Sequence, residues 1–512
     1  MDTKALRQKI LDLAIRGKLV PQDPNDEPAE VLLERIREQK QQMLKEGKLK
    51  KKDIKNDTII FKGEDNLHYE KFQDGTVKCI EDEIPFEVPE GWEWCRLPII
   101  TTDIFAGGDK PDICEKRATE ICNIPIYSNG IENDGLYGYT NKPRVTEPSI
   151  TISARGTIGF CCARKTPFVP IVRLITITPS KEISLYYLKT VFKALIETGE
   201  GSSIPQLTVP GIKLKLIPIP PIMEQDRIQS KQDEILKYIS DISFEKDKLR
   251  RIVQQAKNKI LDLAIRGKLV PQDPNDEPAS VLLERIRAEK EELIKQGKIK
   301  RDKKESVIFK GDDNSYYLRT ELETMEIADE LPYEIPESWE WARIGNVFQV
   351  NPRNKLDDLL EVSFIPMPLI DDGFSGKHTS EVRVWKKIKS GFTHFTEGDI
   401  GIAKITPCFE NRKSVVFRNL KNNYGAGTTE LHVLRPYASS ILPEYVLAYV
   451  KSSMFIDKGK QEFTGAVGQQ RIGKDYVENS YFPIPPLAEQ KRIVEQISTV
   501  YKQLDLISNA LC

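Results

Sequence analysis

The chain has 512 residues, 76 of them Lys or Arg and 77 Asp or Glu, with 39% apolar and 30% charged residues and a formal net charge of -1. A single core stops growing beyond roughly 250 to 300 residues, so three or four pieces are expected. Balanced charge excludes binding nucleic acid through a broad basic excess, so any DNA affinity is local or shared with partners; the lack of a long apolar run and the mixed, amphipathic Met1 to Lys18 exclude a membrane span and a signal peptide.

From the N-terminus, KILDLAIRGKLVPQDPNDEPA at Lys9 to Ala29 recurs without a difference at Lys259 to Ala279. The repeat continues as VLLERIR at Val31 to Arg37 and Val281 to Arg287, each followed by a Lys-rich cluster, Lys48 to Lys55 and Lys298 to Lys304. These clusters read as solvated helix ends or linkers. The first stretch, residues 1–56, is a repeated helical segment, and residues 57–217 form a globular domain entered by IPFEVPEGWEWCRL at Ile84 to Leu97. Bulky and polar residues alternate around Trp92 and Trp94, the pattern of a strand entering a core. A β-like run follows at Ser149 to Cys161 and an apolar helical pattern at Ser184 to Leu195.

Residues 218–306 open on PIPP and a Glu-Gln pair (Pro218, Pro221, Glu224, Gln225). Apolar residues then fall seven apart at Ile228, Ile235, Ile242, Leu249, Ala256 and Leu263, with Ile239, Val253 and Ile260 on a second track that Gln232 and Lys246 interrupt. That is a heptad seam. A helix from about Glu224 to Arg266 would be on the order of 60 Å long, and Gly267 followed by Pro271 ends it. Residues 307–482 repeat the globular plan with LPYEIPESWEWARI at Leu331 to Ile344, a β-like run at Ile400 to Phe417 and a helical pattern at Pro443 to Lys451. Residues 483–512 return to PIPP and Glu-Gln (Pro483, Pro486, Glu489, Gln490) and to the seam at Ile493, Ile497, Val500, Leu504 and Ile507. The seam also reappears at Leu6, Ile10 and Leu13. The first repeat is offset by 250 and the second by 265, so Cys512 aligns with Asp247 and Met1 with Arg251, and the chain ends together rebuild the central segment. Such circular tiling implies a pseudo-twofold arrangement with long helical units packed antiparallel and the termini close together.

The paired PIPP and Glu-Gln helix starts, the duplicated RGKLVPQDPNDEPA segment and the two unlike domains between them resemble, over essentially the whole chain, the specificity subunit of Type I restriction-modification enzymes. The fold expected is α+β: two β-rich mixed target recognition domains separated by long antiparallel coiled-coil helices. The resemblance implies a non-catalytic subunit in which each domain reads one half of a split, asymmetric double-stranded DNA site, while the helices set the spacer and dock two methyltransferase subunits. It further implies motor-nuclease subunits, with S-adenosylmethionine, ATP and magnesium carried by the partners and no cofactor on this chain. Two other readings stay open: a coiled-coil adaptor that does not touch DNA, and the specificity subunit of a fused methyltransferase-nuclease.

No catalytic motif competes with this reading. There is no GxxxxGK[ST] or GxGxxG loop and no Asn/Asp-Pro-Pro-Tyr/Phe motif. Pro111, Asp112, Glu115 and Lys116 are too compressed for a PD...ExK site, and His68, His378, His394 and His432 sit at no metal-ligand spacing from Cys or carboxylates. The eight cysteines show no CxxC framework, which suits free thiols in the cytoplasm. DNA reading therefore falls to loop side chains, with Arg and Lys suited to guanine and Asn and Gln to adenine. In the first domain these are Ser128 and Asn129 (YSNG), Arg155 and Thr157 (SARGTIG) and Gln206 (GSSIPQL). In the second they are Asn351 and Arg353 (NPRNK), Lys404 and Thr406 (AKITP), Asn411 and Lys413 (ENRK), and Gln469, Gln470 and Arg471 (GQQR).

Overall fold

The computed structural model describes residues 2–55, 57–196, 199–200, 206–301, 305–437, 441–466 and 468–511. Cys512, the GSSIP part of GSSIPQL and Asp302 to Lys304 of the second basic cluster lie outside them. The chain forms two compact units, Met1–Glu245 and Lys246–Cys512. Their principal helices are α1 (Thr3–Ile15), α2 (Ala29–Lys45), α3 (Leu185–Leu195), α4 (Ile222–Ile265), α5 (Ala279–Lys295), α6 (Pro443–Val450) and α7 (Leu487–Ala510). Helix α4 begins in the first unit and ends in the second. The fold is α+β, as the sequence implies.

In the first unit α1 starts at Asp2, whose carboxylate accepts from the free N–H groups of Lys4 and Ala5. The chain leaves α1 through Gly17 in the left-handed region (φ 64), where a Cβ would lie 2.4 Å from the Pro89 ring. A three-stranded meander follows α2: Ile59–Lys62, His68–Lys71 and Val77–Cys79. The expected strand at Trp94 is Glu93–Arg96, paired antiparallel with Leu216–Ile219. The larger domain of this unit is built on a four-stranded antiparallel sheet in the order Cys161–Arg164, Ser149–Ile152, Ile175–Pro179, Thr101–Ala106. Beside it Ile124–Tyr127 pairs antiparallel with Leu136–Thr140 and parallel with Val169–Pro170. Helix α3 buries Tyr187, Leu188, Val191 and Phe192 in one core with Ile150, Ile152 and Ile177.

The second unit repeats this plan. Its meander is Val307–Lys310, Tyr316–Arg319 and Thr324–Glu326, and Glu340–Arg343 pairs with Tyr481–Ile484. Its main sheet runs Ser414–Val416, Ile400–Ala403, Leu431–Pro436, Phe348–Val350, the same order of equivalent strands. The companion sheet gains Thr393–Thr396 beside Tyr424–Gly427. Gly425 makes room for this addition, since a Cβ there would stand 2.2 Å from the Phe395 ring, which stacks on Phe417 at 3.7 Å. All four tryptophans of the two WEW phrases are buried to 4% exposure or less, so they pack the core rather than offer a stacking face.

The Glu-Gln pairs explain how the repeats interlock. Glu224 accepts from the Trp92 indole and from Gln22, both at 3.0 Å, and Glu489 accepts from Trp339 at 2.9 Å and Gln272 at 2.6 Å. Gln225 receives the Ser184 N–H and donates to Pro220; Gln490 does the same with Leu442 and Pro485. Asp26 pairs with Arg227 and Asp276 with Arg492. In each unit a terminal helix runs antiparallel to its part of α4, with Arg7 bonded to Ser240 in the first and Lys257 paired with Asp505 in the second.

The heptad seam departs from expectation. Ile228, Ile239 and Val253 are buried, but Ile242 and Leu249 are each 42% exposed. Gln232, expected to interrupt the seam, is buried and accepts the Thr190 hydroxyl at 2.7 Å, and Lys257 is buried too. The cause is the changing partner along α4. The first half meets α1 at Ser240 and α3 at Gln232, and the last part meets α7 at Lys257 and the residue that follows α7, Leu511, at Arg250.

Candidate nucleic-acid interface

The sheets gather sequence-distant loops into one cluster in each unit. In the first, Ala154 N–H donates to Asn129 Oδ1 at 2.8 Å, and Asn129 Nδ2 donates to the Val172 carbonyl at 2.7 Å. The YSNG turn and the SARGTIG hairpin are thereby tied together, with Gly130 N–H on Ser153 Oγ. Asn129 therefore holds loops in place with both ends of its amide. Ser128 is half-buried, its hydroxyl directed to the Asn129 carbonyl. Arg155 has no side-chain partner among the described residues, and Gln206 is exposed. Thr157 lies in a short strand opposite Glu200, its hydroxyl buried without a partner among the described residues.

A third loop was not foreseen. Val172 and Arg173 both adopt left-handed backbone, φ 53 and 59, costly for a β-branched valine. Their N–H groups bond to Gly108 and Gly107, and Val172 carries the carbonyl that Asn129 meets, so the strained pair stands inside the cluster with Arg173 exposed. Strain of this kind is stored where surrounding structure dictates it, often at functional sites. Sequence periodicity carries no signal for it.

In the second unit the AKITP and GQQR segments meet. Thr406 N–H donates to the Gln470 carbonyl at 2.9 Å and Ile472 N–H to the Lys404 carbonyl at 3.0 Å. Thr406, Pro407, Glu410, Lys460, Phe463 and Gln470 surround a cleft of about 380 Å³. The Thr406 hydroxyl, like that of Thr157 in the first unit's hairpin, is buried without a partner among the described residues. Lys404 and Asn411 have no side-chain partner among the described residues, and Gln469 is exposed.

Four other candidates are committed elsewhere. Asn351, at φ 56, accepts from Val433 N–H at 3.0 Å and meets His432 Nδ1 at 3.2 Å, while His432 Nε2 faces the Ile472 carbonyl. Burial holds the His432 imidazole below its ordinary pKa. Arg353 donates to the Phe392 carbonyl at 2.9 Å, and Lys413 to that of Ile370 at 2.8 Å. Arg471 grips Glu430 with two bonds at 2.9 and 3.0 Å, which keeps the Glu430 carboxyl below the ordinary range. These groups shape the loops. His68 lies 2.8 Å from Glu81, thirteen residues on, in the first meander.

Comparison with known proteins agrees with the doubled plan. Residues 90–254 and 336–511 match the Type I restriction modification DNA specificity domain, together more than half of the chain. The chain is 46% identical over 254 residues to the Type I restriction enzyme EcoAI specificity subunit of Escherichia coli, which covers 49% of this chain and 40% of that protein. It is 47% identical over 247 residues to the EcoEI specificity subunit of the same organism, covering 48% and 39%. The chain thus spans about two-fifths of the length of these relatives. Among solved structures it is similar to the HsdS subunit from Thermoanaerobacter tengcongensis, with a TM-score of 0.38, 15% identity and coverage of 84% of this chain and 94% of that one.

Proposed function

Because the chain belongs to the Type I restriction modification DNA specificity family, we propose that it is the non-catalytic address-reading subunit of such a complex, each unit recognising one half of a bipartite, asymmetric DNA site. One observation carries this reading: the same order of strands is built twice, and it presents two unlike loop clusters. Equal frames with unlike loops suit two different half-sites joined in one target.

Within those clusters we assign base reading to the side chains that remain uncommitted: Arg155 and Gln206 in the first unit, Lys404, Asn411, Gln469 and Gln470 in the second. A good bidentate contact discriminates against the wrong base by about 1 to 3 kcal/mol. Ser128, Thr157 and Thr406 complete the surfaces. Asn129, Asn351, Arg353, Lys413 and Arg471 act mainly by holding loops in shape, with Arg residues also able to meet phosphate, which positions without specifying. The helical segments set the spacer, on the scale of one DNA turn of roughly 34 to 36 Å, and the duplicated block docks two methyltransferase subunits. Those subunits would bring S-adenosylmethionine, and motor-nuclease subunits ATP and magnesium.

Mapping adenine methylation by long-read sequencing, with and without this gene, tests the proposal. Loss of one split, asymmetric motif on deletion is the expected result. An unchanged map, together with no DNA binding by the assembled complex, would leave an adaptor role instead.

A further inference from the structure

The reading hairpin of the second unit is fastened to the helices as well as to its own sheet. Arg412 stands in the loop between Ile400–Ala403 and Ser414–Val416 with left-handed backbone, φ 55. Its guanidinium makes three bonds: Nε to the Lys451 carbonyl at 2.9 Å, and Nη2 to Asn258 Oδ1 at 2.9 Å and to Ser453 Oγ at 3.2 Å. Asn258 belongs to α4, and its Oδ1 also accepts the Ser453 hydroxyl at 3.2 Å. Arg412 is thus tied through one side chain to the spacing helix and to the segment after α6.

Surrounding groups close the joint. Lys451, 2% exposed, donates to the carbonyls of Gly373 and Arg412, holding the neighbouring loop against the hairpin. Burial, reinforced by the Arg412 charge, pushes the Lys451 amine down to about 7, with Asp371 and Asp372 acting in the opposite sense. Phe374 from that loop meets Tyr501 of α7 edge to face at 5.8 Å, and Arg412 and Lys257 lie over its ring at 5.2 and 5.9 Å. Tyr501 donates to the Lys257 carbonyl at 3.0 Å, and Lys257 pairs with Asp505. Asn411, a proposed base reader, and Lys413, which holds the loop in shape, flank Arg412 in the chain.

We propose that Arg412 and Asn258 are positioning residues for spacer length: their bond fixes where the second unit's reading hairpin stands on α4, so it governs which separation of half-sites is accepted and not which bases are read. The proposal rests on the function given above. A hydrogen bond to a charged group biases an equilibrium by roughly ten- to a hundredfold, enough to reject a site one base pair too long or too short.

The test replaces the native gene with full-length variants and reads adenine methylation across the genome. With Asn258→Ala and with Arg412→Ala the two half-sites should stay the same, while sites whose spacer differs by one base pair rise in methylated fraction by about tenfold. Asn258→Asp retains an acceptor for the guanidinium and should keep a single spacer. Lower methylation at every site with an unchanged spacer in Asn258→Ala, or altered bases in the second half-site, overturns the proposal. A wild-type map without any split motif would overturn the function it rests on, a result distinct from both.

Discussion

Removing the indole N–H that meets Glu224 should weaken the first unit and leave the second intact. Trp92 donates to Glu224 Oε2 at 3.0 Å, the carboxylate is 1% exposed, and its other donor is Gln22. In Trp92→Phe the side chain keeps an aromatic ring in the core but leaves a buried carboxylate one donor short. A hydrogen bond to a charged group contributes about 1.5 to 3 kcal/mol, and the smaller ring adds about 1 kcal/mol of lost packing, so a cost of about 2 to 4 kcal/mol is expected at neutral pH. Burial already holds the Glu224 carboxyl above its ordinary range, and the bonds from Gln22 and Trp92 pull it down. The pH dependence follows from that sign. With a folded pKa above the unfolded one, the carboxyl favours folding most in its neutral form, and that contribution is lost as pH rises from the unfolded value through the folded one. Loss of the Trp92 donor raises the folded pKa further, so the penalty of Trp92→Phe should be small below about pH 4, where a neutral bond contributes only about 0.5 to 1.5 kcal/mol, and should grow toward pH 7. Hydrogen exchange read by mass spectrometry on the full chain, over peptides containing residues 93–96 and 216–219, reports the first unit; residues 340–343 and 481–484 report the second. Protection should fall by about 30-fold or more in the first set alone, since each 1.4 kcal/mol is tenfold. Trp339→Phe should give the mirror result through Glu489, and the double variant should add within about 0.5 kcal/mol. Equal loss in both sets from Trp92→Phe, or a loss independent of pH, would refute the reasoning.

Arg155→Ala should weaken recognition of one half-site only, read as methylated fraction across sites mutated in either half; equal loss at both halves counts against modular reading. Deleting one heptad between Ile235 and Ile242 should change the spacer in the methylation map while both half-sites persist, and changed half-sites with an unchanged spacer would contradict it. Tyr187 donates to the Pro218 carbonyl at 2.8 Å and Tyr445 to that of Pro483 at 3.0 Å. Tyr187→Phe and Tyr445→Phe should each cost about 1 to 3 kcal/mol by leaving a buried carbonyl unmet, measured as faster exchange confined to the unit that carries the change.

Much of this architecture is legible in the sequence because two periodicities report on it. The helical repeats and the WEW strands stand where apolar spacing puts them, and the tiling offsets of 250 and 265 mark matched helices. The paired meanders escaped that reading for a local reason. IFKG at Ile60 to Gly63 recurs at Ile308 to Gly311, and Asp65, Asn66 and Tyr69 recur as Asp313, Asn314 and Tyr317, at an offset of 248 that a fixed register of 250 slides past. The structure makes the match plain: Asn66 and Asn314 both turn at φ 64, and Tyr69 and Tyr317 each donate to the turn aspartate at 2.7 Å. The candidate site was legible as segments and illegible as side chains. Residue type selects Asn129, Asn351 and Arg471 as base readers, yet each is bonded to groups 43, 82 and 41 positions away. No local pattern encodes such distances.

The duplicated block can now be divided by what its residues do. Ile10, Ala14, Ile15 and Ala29 are buried, Gln22 and Asp26 reach Glu224 and Arg227, and Gly17 packs on Pro89, so internal contacts account for these identities. Folding alone does not demand identity throughout, because the helix pairing at Arg7 and Ser240 is met at the equivalent place by Lys257 and Asp505 with different side chains. Glu27 and Glu277 each pair with an arginine of the following helix, Arg35 and Arg285, and the remaining identical residues include Lys18, Pro21, Pro24 and Pro28, all exposed, as are their copies Lys268, Pro271, Pro274 and Pro278. Identity that internal packing does not require, displayed twice on the surface, is what one kind of partner bound at two places would need. The loops proposed to read DNA are unlike in the two units, so sameness and difference in this chain follow what each surface is proposed to touch.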